Sequence, residues 1–161
     1  MHRPIRLTPD DDMAAIHALL TRSFAYMEDR IDPPSSLNRM TPETFADEAR
    51  RHELWAILDP APVACMVLTP KPDHLYLGKL AIAENRRGEG LARIMTDHAI
   101  ARAAAIGLPA VVLQTRIELT ENHATFTRLG FAETGRTAHP GYDRPTSVTF
   151  SRPVPQALAR P

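Results

Sequence analysis

The densest chemical signal in this 161-residue sequence is the run Arg86-Arg87-Gly88-Glu89-Gly90-Leu91-Ala92. Two arginines, two glycines and the start of a helical pattern are the parts of an anion site. The first amides of a helix have no internal partner, and the helix dipole adds to their attraction for phosphate. Gly88 and Gly90 let the backbone approach a ligand without a Cβ in the way. Arg86 and Arg87 bring positive charge to a pyrophosphate. Two glycines alone are a weak signal, since an ordinary strand-to-helix turn with solvated arginines uses the same residues. A dinucleotide fold needs a third spaced glycine and an acid after a second strand, and a nucleotide P-loop needs Gly-Lys-Ser/Thr. The sequence has neither.

The elements that must position this loop lie on either side of it. Leu75 to Ile82 reads as a strand running through Ala83-Glu84-Asn85 into the loop, and a long helix leaves it. Ala92, Met95, Ala99, Ala103 and Ile106 form one stripe of that helix, which Gly107 and Pro109 end. Ala110 to Leu113 is a continuous apolar run, as expected of a strand covered on both faces. A short helix over Glu121 to Leu129 and strands over Phe131 to Arg136 and Ser147 to Phe150 follow. Upstream, Ile5 to Leu7 is a strand candidate. Thr8 is expected as N-cap of the first helix, with Pro9 at its first position and Asp11 closing a capping box. Met13, Ile16, Leu20 and Phe24 share one face, so this helix runs to about Phe24. Asp32-Pro33-Pro34-Ser35-Ser36 is a loop, and a second helix starts at Thr41-Pro42 and ends near Arg51. Leu54 to Leu58 and Val63 to Leu68 pair across Asp59-Pro60-Ala61-Pro62. Residues after Arg152 are expected to form a frayed tail. The order β-α-α-β-β-β-α-β-α-β-β predicts a single α/β domain, a mixed sheet with helices on both faces.

Composition narrows the function classes. An apolar share of 43% and a charged share of 24% are those of a soluble globular protein. Nineteen basic and nineteen acidic residues cancel, which argues against an unaided nucleic-acid partner. One cysteine, Cys65, excludes an internal disulfide and a cysteine-based zinc site, and its apolar surroundings read as core. No stretch approaches the roughly 20 apolar residues that span a bilayer, and the first residues lack a signal-peptide pattern. No membrane partner and a cytoplasmic location are expected.

The run Leu80 to Ala92 resembles the cofactor signature of the GNAT superfamily of N-acetyltransferases, Gln/Arg-x-x-Gly-x-Gly/Ala, with Arg87, Gly90 and Ala92 in the defining places. Glu121-Asn122-His123-Ala124-Thr125-Phe126-Thr127-Arg128-Leu129-Gly130-Phe131 looks like the second signature, which ends in Gly-Phe. The resemblance extends from Ile5 to Phe150 in matching element order. It implies a mostly antiparallel sheet in which one parallel pair, Leu75–Ile82 and Ala110–Thr115, splays apart near Ala81 and Gln114. It implies acetyl-coenzyme A as cosubstrate and no metal. The pantetheine would lie against Leu80, Ala81 and Ile82, and the pyrophosphate against the amides of Arg87, Gly88, Glu89, Gly90, Leu91 and Ala92. Asn122 matches a cofactor-bonding position.

Acetyl transfer sets three demands: a deprotonated amine, a donor to the thioester oxygen, and help for the leaving thiolate. The third role usually falls to a tyrosine five residues before the Phe of the Gly-Phe signature. Here that residue is Phe126, which lines the cofactor site without an O–H. Tyr142 and His139, in the turn-rich connection between the last strands, are then the leading candidates for substrate contact or proton transfer. Tyr76 and His74, assigned to the first splayed strand, come next. His123 reads as a surface helix residue, and His98 as a residue at the sheet interface. Arg116 and Glu118 follow the second splayed strand, where Arg116 would hold a substrate carboxylate or a surface acid. Glu28, Asp29 and Asp32 would attract a cationic amine or simply be solvated. A small-molecule amine is the expected acceptor. A protein N-terminus or lysine, and a non-catalytic acetyl-CoA-binding module, remain open, as does a homodimer.

Overall fold

A computed structural model describes residues 2–155. The elements are β1 (Ile5–Arg6), α1 (Met13–Phe24), α2 (Pro42–Arg51), β2 (Glu53–Leu58), β3 (Pro62–Pro70), β4 (Leu75–Ile82), α3 (Leu91–Ala105), β5 (Ala110–Arg116), α4 (Thr120–Arg128), β6 (Ala132–Thr137) and β7 (Ser147–Pro153). The seven strands form one sheet in the order β1-β2-β3-β4-β5-β7-β6. Every neighbouring pair is antiparallel except β4 and β5.

Each face of the sheet carries its own core. Leu91, Met95, Ala99 and Ala103 of α3 pack on Leu75, Leu77, Val111 and Leu113. On the other face, Ile16 and Leu20 of α1 and Phe45 of α2 pack on Leu54, Ala56, Cys65 and Val67. A buried ion pair ties α3 to the sheet: Arg102 donates to both oxygens of Glu53, at 2.9 and 2.7 Å, and Trp55 Nε1–H donates to the same carboxylate at 2.9 Å. Burial pushes the Glu53 carboxyl up, but the bonds from Arg102 and Trp55 outweigh it and hold it below the usual range. His98 lies at the sheet interface as expected, its ring 4.1 Å from that of Trp55.

Several boundaries differ from the sequence reading. The first helix is capped by Asp12, whose side chain accepts from Ala15 N–H at 3.0 Å. Thr8 and Asp11 do bond to each other, Thr8 N–H to Asp11 Oδ2 at 2.7 Å, but in a turn ahead of the helix. Pro9 sits in that turn and not in the first helical turn. In α3, Leu91, Thr96 and Ile100 join the buried face, while Ala92 is half-buried and Ile106 is exposed. Ile106 is already the C-cap, and the chain turns off the sheet there. Strand β5 is covered well on one face only: Val111, Leu113 and Thr115 are buried, Val112 is half-buried and Gln114 exposed. Its second face borders a cleft. The tail is ordered past Arg152: Val154 is buried and its N–H donates to Pro109 O at 2.9 Å. The rest of the expected tail, 156–161, lies outside the described residues.

Candidate active site

The site begins where two strands part. β4 and β5 pair only at Leu75 with Val111 and Tyr76 with Val112. Beyond that, β4 keeps its β3 partner out to Ile82, and β5 keeps β7 out to Arg116. The facing edges of β4 from Leu77 and β5 from Leu113 therefore have no strand between them. Such an unpaired edge is a template for an extended group that can exchange main-chain hydrogen bonds. The opening is a cleft of about 340 Å³, walled by Tyr76 to Leu80, Leu113 to Arg116, the end of α1, Asn122 and Phe126 of α4, and His139.

Within β4 the ladder is broken. The register with β3 shifts between Cys65 and Val67, and Lys79, opposite the shift, has φ 54°. A lysine in left-handed backbone stores strain of about 1 kcal/mol or more, and a bulge takes local backbone out of the ladder. The Lys79 ammonium pairs with Glu48 at 3.3 Å, and its carbonyl accepts from Cys65 Sγ–H at 3.7 Å. Burial pushes that thiol up to about 12, so Cys65 is a core residue and no nucleophile. This bulge was invisible in the sequence, because it exists only relative to the partner strand.

Strand β4 delivers the chain through the turn Glu84–Arg86 to α3, whose N-cap is Gly90 at φ 82°. A glycine cap has no side chain to occupy the first amides, and the first turn holds no acid. That contrasts with α1, where Asp12 fills this role. A Cβ built at Gly88 or Gly90 meets nothing within 4 Å, so the space in front of these amides is open. A helix N-terminus left open in this way favours an anion. Arg86 is already engaged, donating to Glu89 at 2.9 Å and Asp59 at 2.9 Å. Arg87 has no acidic partner among the described residues. It donates to Ser23 O at 3.4 Å and lies 5.7 Å from the Tyr26 ring.

The structure brings Leu80, Asn122, Phe126 and His139 to the cleft. Asn122 donates to Thr115 Oγ1 at 3.4 Å. Phe126 is half-buried, its ring 6.0 Å from Phe131 and 6.2 Å from Phe150, so it both packs α4 and faces the opening. Tyr76 lies in the cleft wall, and burial raises its phenol above the usual range despite the amide of Gln114 nearby. His139 Nδ1 bonds Thr146 Oγ1, and burial followed by the Arg116 charge lowers its pKa. Tyr142 is placed differently. Its hydroxyl donates to Asp32 Oδ1 at 2.6 Å, which raises its pKa, and it is not among the residues that line the cleft.

Asp32 is the centre of a clasp that the sequence did not reveal. It receives Tyr142 and, at 3.2 Å, Arg144, while its own N–H donates to Glu118 Oε2 at 3.3 Å. Next to it, Arg116 donates to the carbonyls of Pro33 at 2.6 Å and Pro34 at 3.2 Å, and Arg30 pairs with Glu121. Three connections from distant parts of the chain are thereby held over one mouth. Glu28 lines a recess beside the cleft, and Asp29 is exposed. His74 precedes β4, beside Asp73, and is absent from the cleft lining. His123 is not a surface residue: it is half-buried, with Nε2 bonded to Arg116 O at 3.0 Å and its ring on Phe150.

No helix among the described residues is long and apolar enough to cross a membrane. Among curated proteins, none matches the chain. Solved structures share its fold. Ribosomal-protein-S18-alanine N-acetyltransferase from Escherichia coli superposes with a TM-score of 0.69 at 21% identity, over 96% of this chain and 94% of that one. A GNAT-family acetyltransferase from Staphylococcus aureus gives 0.74 at 12% identity, over 96% and 99%. Another from Streptococcus pneumoniae gives 0.72 at 15%, over 96% and 99%. The family model described as acetyltransferase (GNAT) family matches residues 13–131, which span both the splayed strands and the uncapped helix. The chain belongs to the GNAT family of acetyltransferases.

Proposed function

We propose that this acetyltransferase moves the acetyl group of acetyl-CoA to the primary amine of a small molecule, by direct attack. The observation that carries this reading is the alignment of two vacant hydrogen-bonding surfaces. The open edge of β4 runs straight into the uncapped N-terminus of α3. A molecule with an extended amide-bearing arm and a pyrophosphate matches both. Acetyl-CoA supplies an acetyl group activated as a thioester.

In this reading the amides of Gly88 to Ala92 hold the pyrophosphate, with Arg87 as its counter-charge. The edge of Leu80 to Ile82 fixes the arm, and Asn122 and Phe126 border it from α4. The Lys79 bulge, which takes local backbone out of the β3 ladder, is a candidate source of an N–H for the charge that develops on the thioester oxygen. His139 accepts the proton of the attacking amine. It is the histidine of the cleft lining, and burial followed by the Arg116 charge lowers its pKa, which favours the neutral imidazole that a base requires. The amine nitrogen bonds to the acetyl carbon, the C–S bond breaks, and the sulfur leaves as thiolate. Phe126 offers that thiolate no proton, so water or the protonated His139 serves it. Tyr142, the other proton-transfer candidate, fixes Asp32 and the mouth of the cleft through its hydroxyl.

The main cleft of about 340 Å³ lies within the usual range for small-ligand pockets. Steady-state release of free thiol from acetyl-CoA across a panel of small amines tests the proposal. A peptide N-terminus that outperforms every small amine would replace it with the protein-acetylation reading.

A further inference from the structure

Four arginines among the described residues are half-buried: Arg86, Arg102, Arg116 and Arg152. Three of them hold carboxylates, Arg86 with Asp59 and Glu89, Arg102 with Glu53, and Arg152 with Asp97. Arg116 makes no salt bridge among the described residues, although the Glu118 and Asp32 charges act on it from outside the cleft lining, and it is the one of the four that lines the cleft. Two of its N–H groups reach the carbonyls of Pro33 and Pro34, which orient the guanidinium without neutralising it. A guanidinium has five donors in a planar fork, so it retains capacity for a further acceptor.

The rest of the cleft lacks a compensating anion. Its other charged lining residue, Lys79, is paired with Glu48, and neither Asp nor Glu is among the residues that line it. A bare ammonium compound held by the cleft lining would meet Arg116 and Lys79 and no lining carboxylate. An amine that carries its own carboxylate would satisfy Arg116. Its ammonium, placed among Arg116, Lys79 and His139, would lose its proton more readily.

The cleft also opens on a side recess of about 250 Å³. Phe24, Met27, Ser35, Leu37 and Met40 line both spaces, and His17, Thr21, Glu28 and Asn38 also line the recess. Four of the five shared residues are apolar, and two of them are methionines that adapt to different shapes. This apolar strip between cleft and recess suits one apolar side chain.

We infer that the acceptor is a free amino acid or close analogue, with its carboxylate on Arg116 and an apolar side chain against the strip of Phe24, Met27, Leu37 and Met40 where cleft and recess meet. This rests on the proposed acetyl-transfer reading of the cleft. The test compares leucine, methionine and phenylalanine with their carboxamides and with the amines that lack the carboxylate, by acetyl-CoA-dependent product formation. The free acids should show kcat/KM about 10- to 100-fold above the carboxamides, the range of a hydrogen-bonded charge pair. Assayed well above the histidine range, where the loss of the Arg116 charge beside His139 no longer changes the base, Arg116→Gln should remove that preference by lowering the acids and not the amides, while the Kd for acetyl-CoA stays within about threefold. Carboxamides or simple amines used as well as the acids by the wild-type protein would overturn the inference. So would an Arg116→Gln variant that slows acids and amides alike, since that is the signature of a role confined to the Pro33–Pro34 loop. Titration calorimetry separates the two levels. Failure to bind acetyl-CoA would overturn the cleft reading together with this inference, whereas binding and turnover without carboxylate preference would overturn the inference alone.

Discussion

Gly90→Asp isolates the role of the uncapped helix. Gly90 has φ 82°, and a Cβ there meets nothing within 4 Å, so the side chain fits but the backbone becomes strained. A residue with a Cβ in this conformation costs about 1–2 kcal/mol, and Asp and Asn are among those that accept it best. The fold should survive. The carboxylate would compete for the same amides and sit beside any bound pyrophosphate. At about 5 Å and an effective dielectric near 20, each pair of unit negative charges repels by about 3 kcal/mol. That is roughly a hundredfold or more in affinity. Gly90→Asn carries the same backbone strain and no charge, so it should weaken binding far less. Isothermal titration of acetyl-CoA into both variants, with circular dichroism as the fold check, reads the difference. An unchanged Kd in folded Gly90→Asp would refute the placement of the pyrophosphate.

Three further outcomes follow from the cleft. His139→Gln should lower kcat by roughly 10²–10⁴-fold. It should also remove from the kcat/KM profile the rise with pH through a midpoint below the ordinary histidine range. The sign for stability is the same: a histidine whose folded pKa is lowered binds its proton more readily when unfolded. Its neutral-form contribution is therefore complete above the unfolded pKa and declines as pH falls through it, a slope that His139→Gln should flatten in pH-dependent thermal melts. Phe126→Ala should cost about 3 kcal/mol, the low end for a buried ring because this one is half-buried, whereas Phe126→Tyr should leave Tm and kcat nearly unchanged. Tyr142→Phe should raise the KM for the amine several-fold through the loss of the Asp32 bond and spare kcat; a 10²-fold fall in kcat would instead make Tyr142 the proton donor.

What was legible from sequence followed local chemistry. The strand into Gly88 and Gly90, the long helix and its stop at Gly107 all show up as residue types at fixed offsets, and the fold has them where the pattern does. Cap choice at α1 was less secure, because Thr8 and Asp12 are both competent and only packing of Met13 and Ile16 selects Asp12. Strand β5 read as doubly covered because an apolar run does not say which side a cleft occupies. The Asp32 clasp joins residues far apart in sequence, so charges that looked like solvated singles turned out to have partners. Likewise, Lys79 gave no sign of left-handed backbone, since its bulge is defined by pairing with β3. Arg116 is a candidate by sequence position, but its lack of a salt bridge shows only against the paired Arg86, Arg102 and Arg152.

The measurement closest to the central claim is amine-dependent thiol release from acetyl-CoA, with the acetylated amine quantified in the same reaction by mass spectrometry. The account predicts saturable turnover with at least one small amine, one thiol released for each acetylated product. Tight acetyl-CoA binding without amine-dependent thiol release across the panel would contradict it and leave a binding module in place of an enzyme.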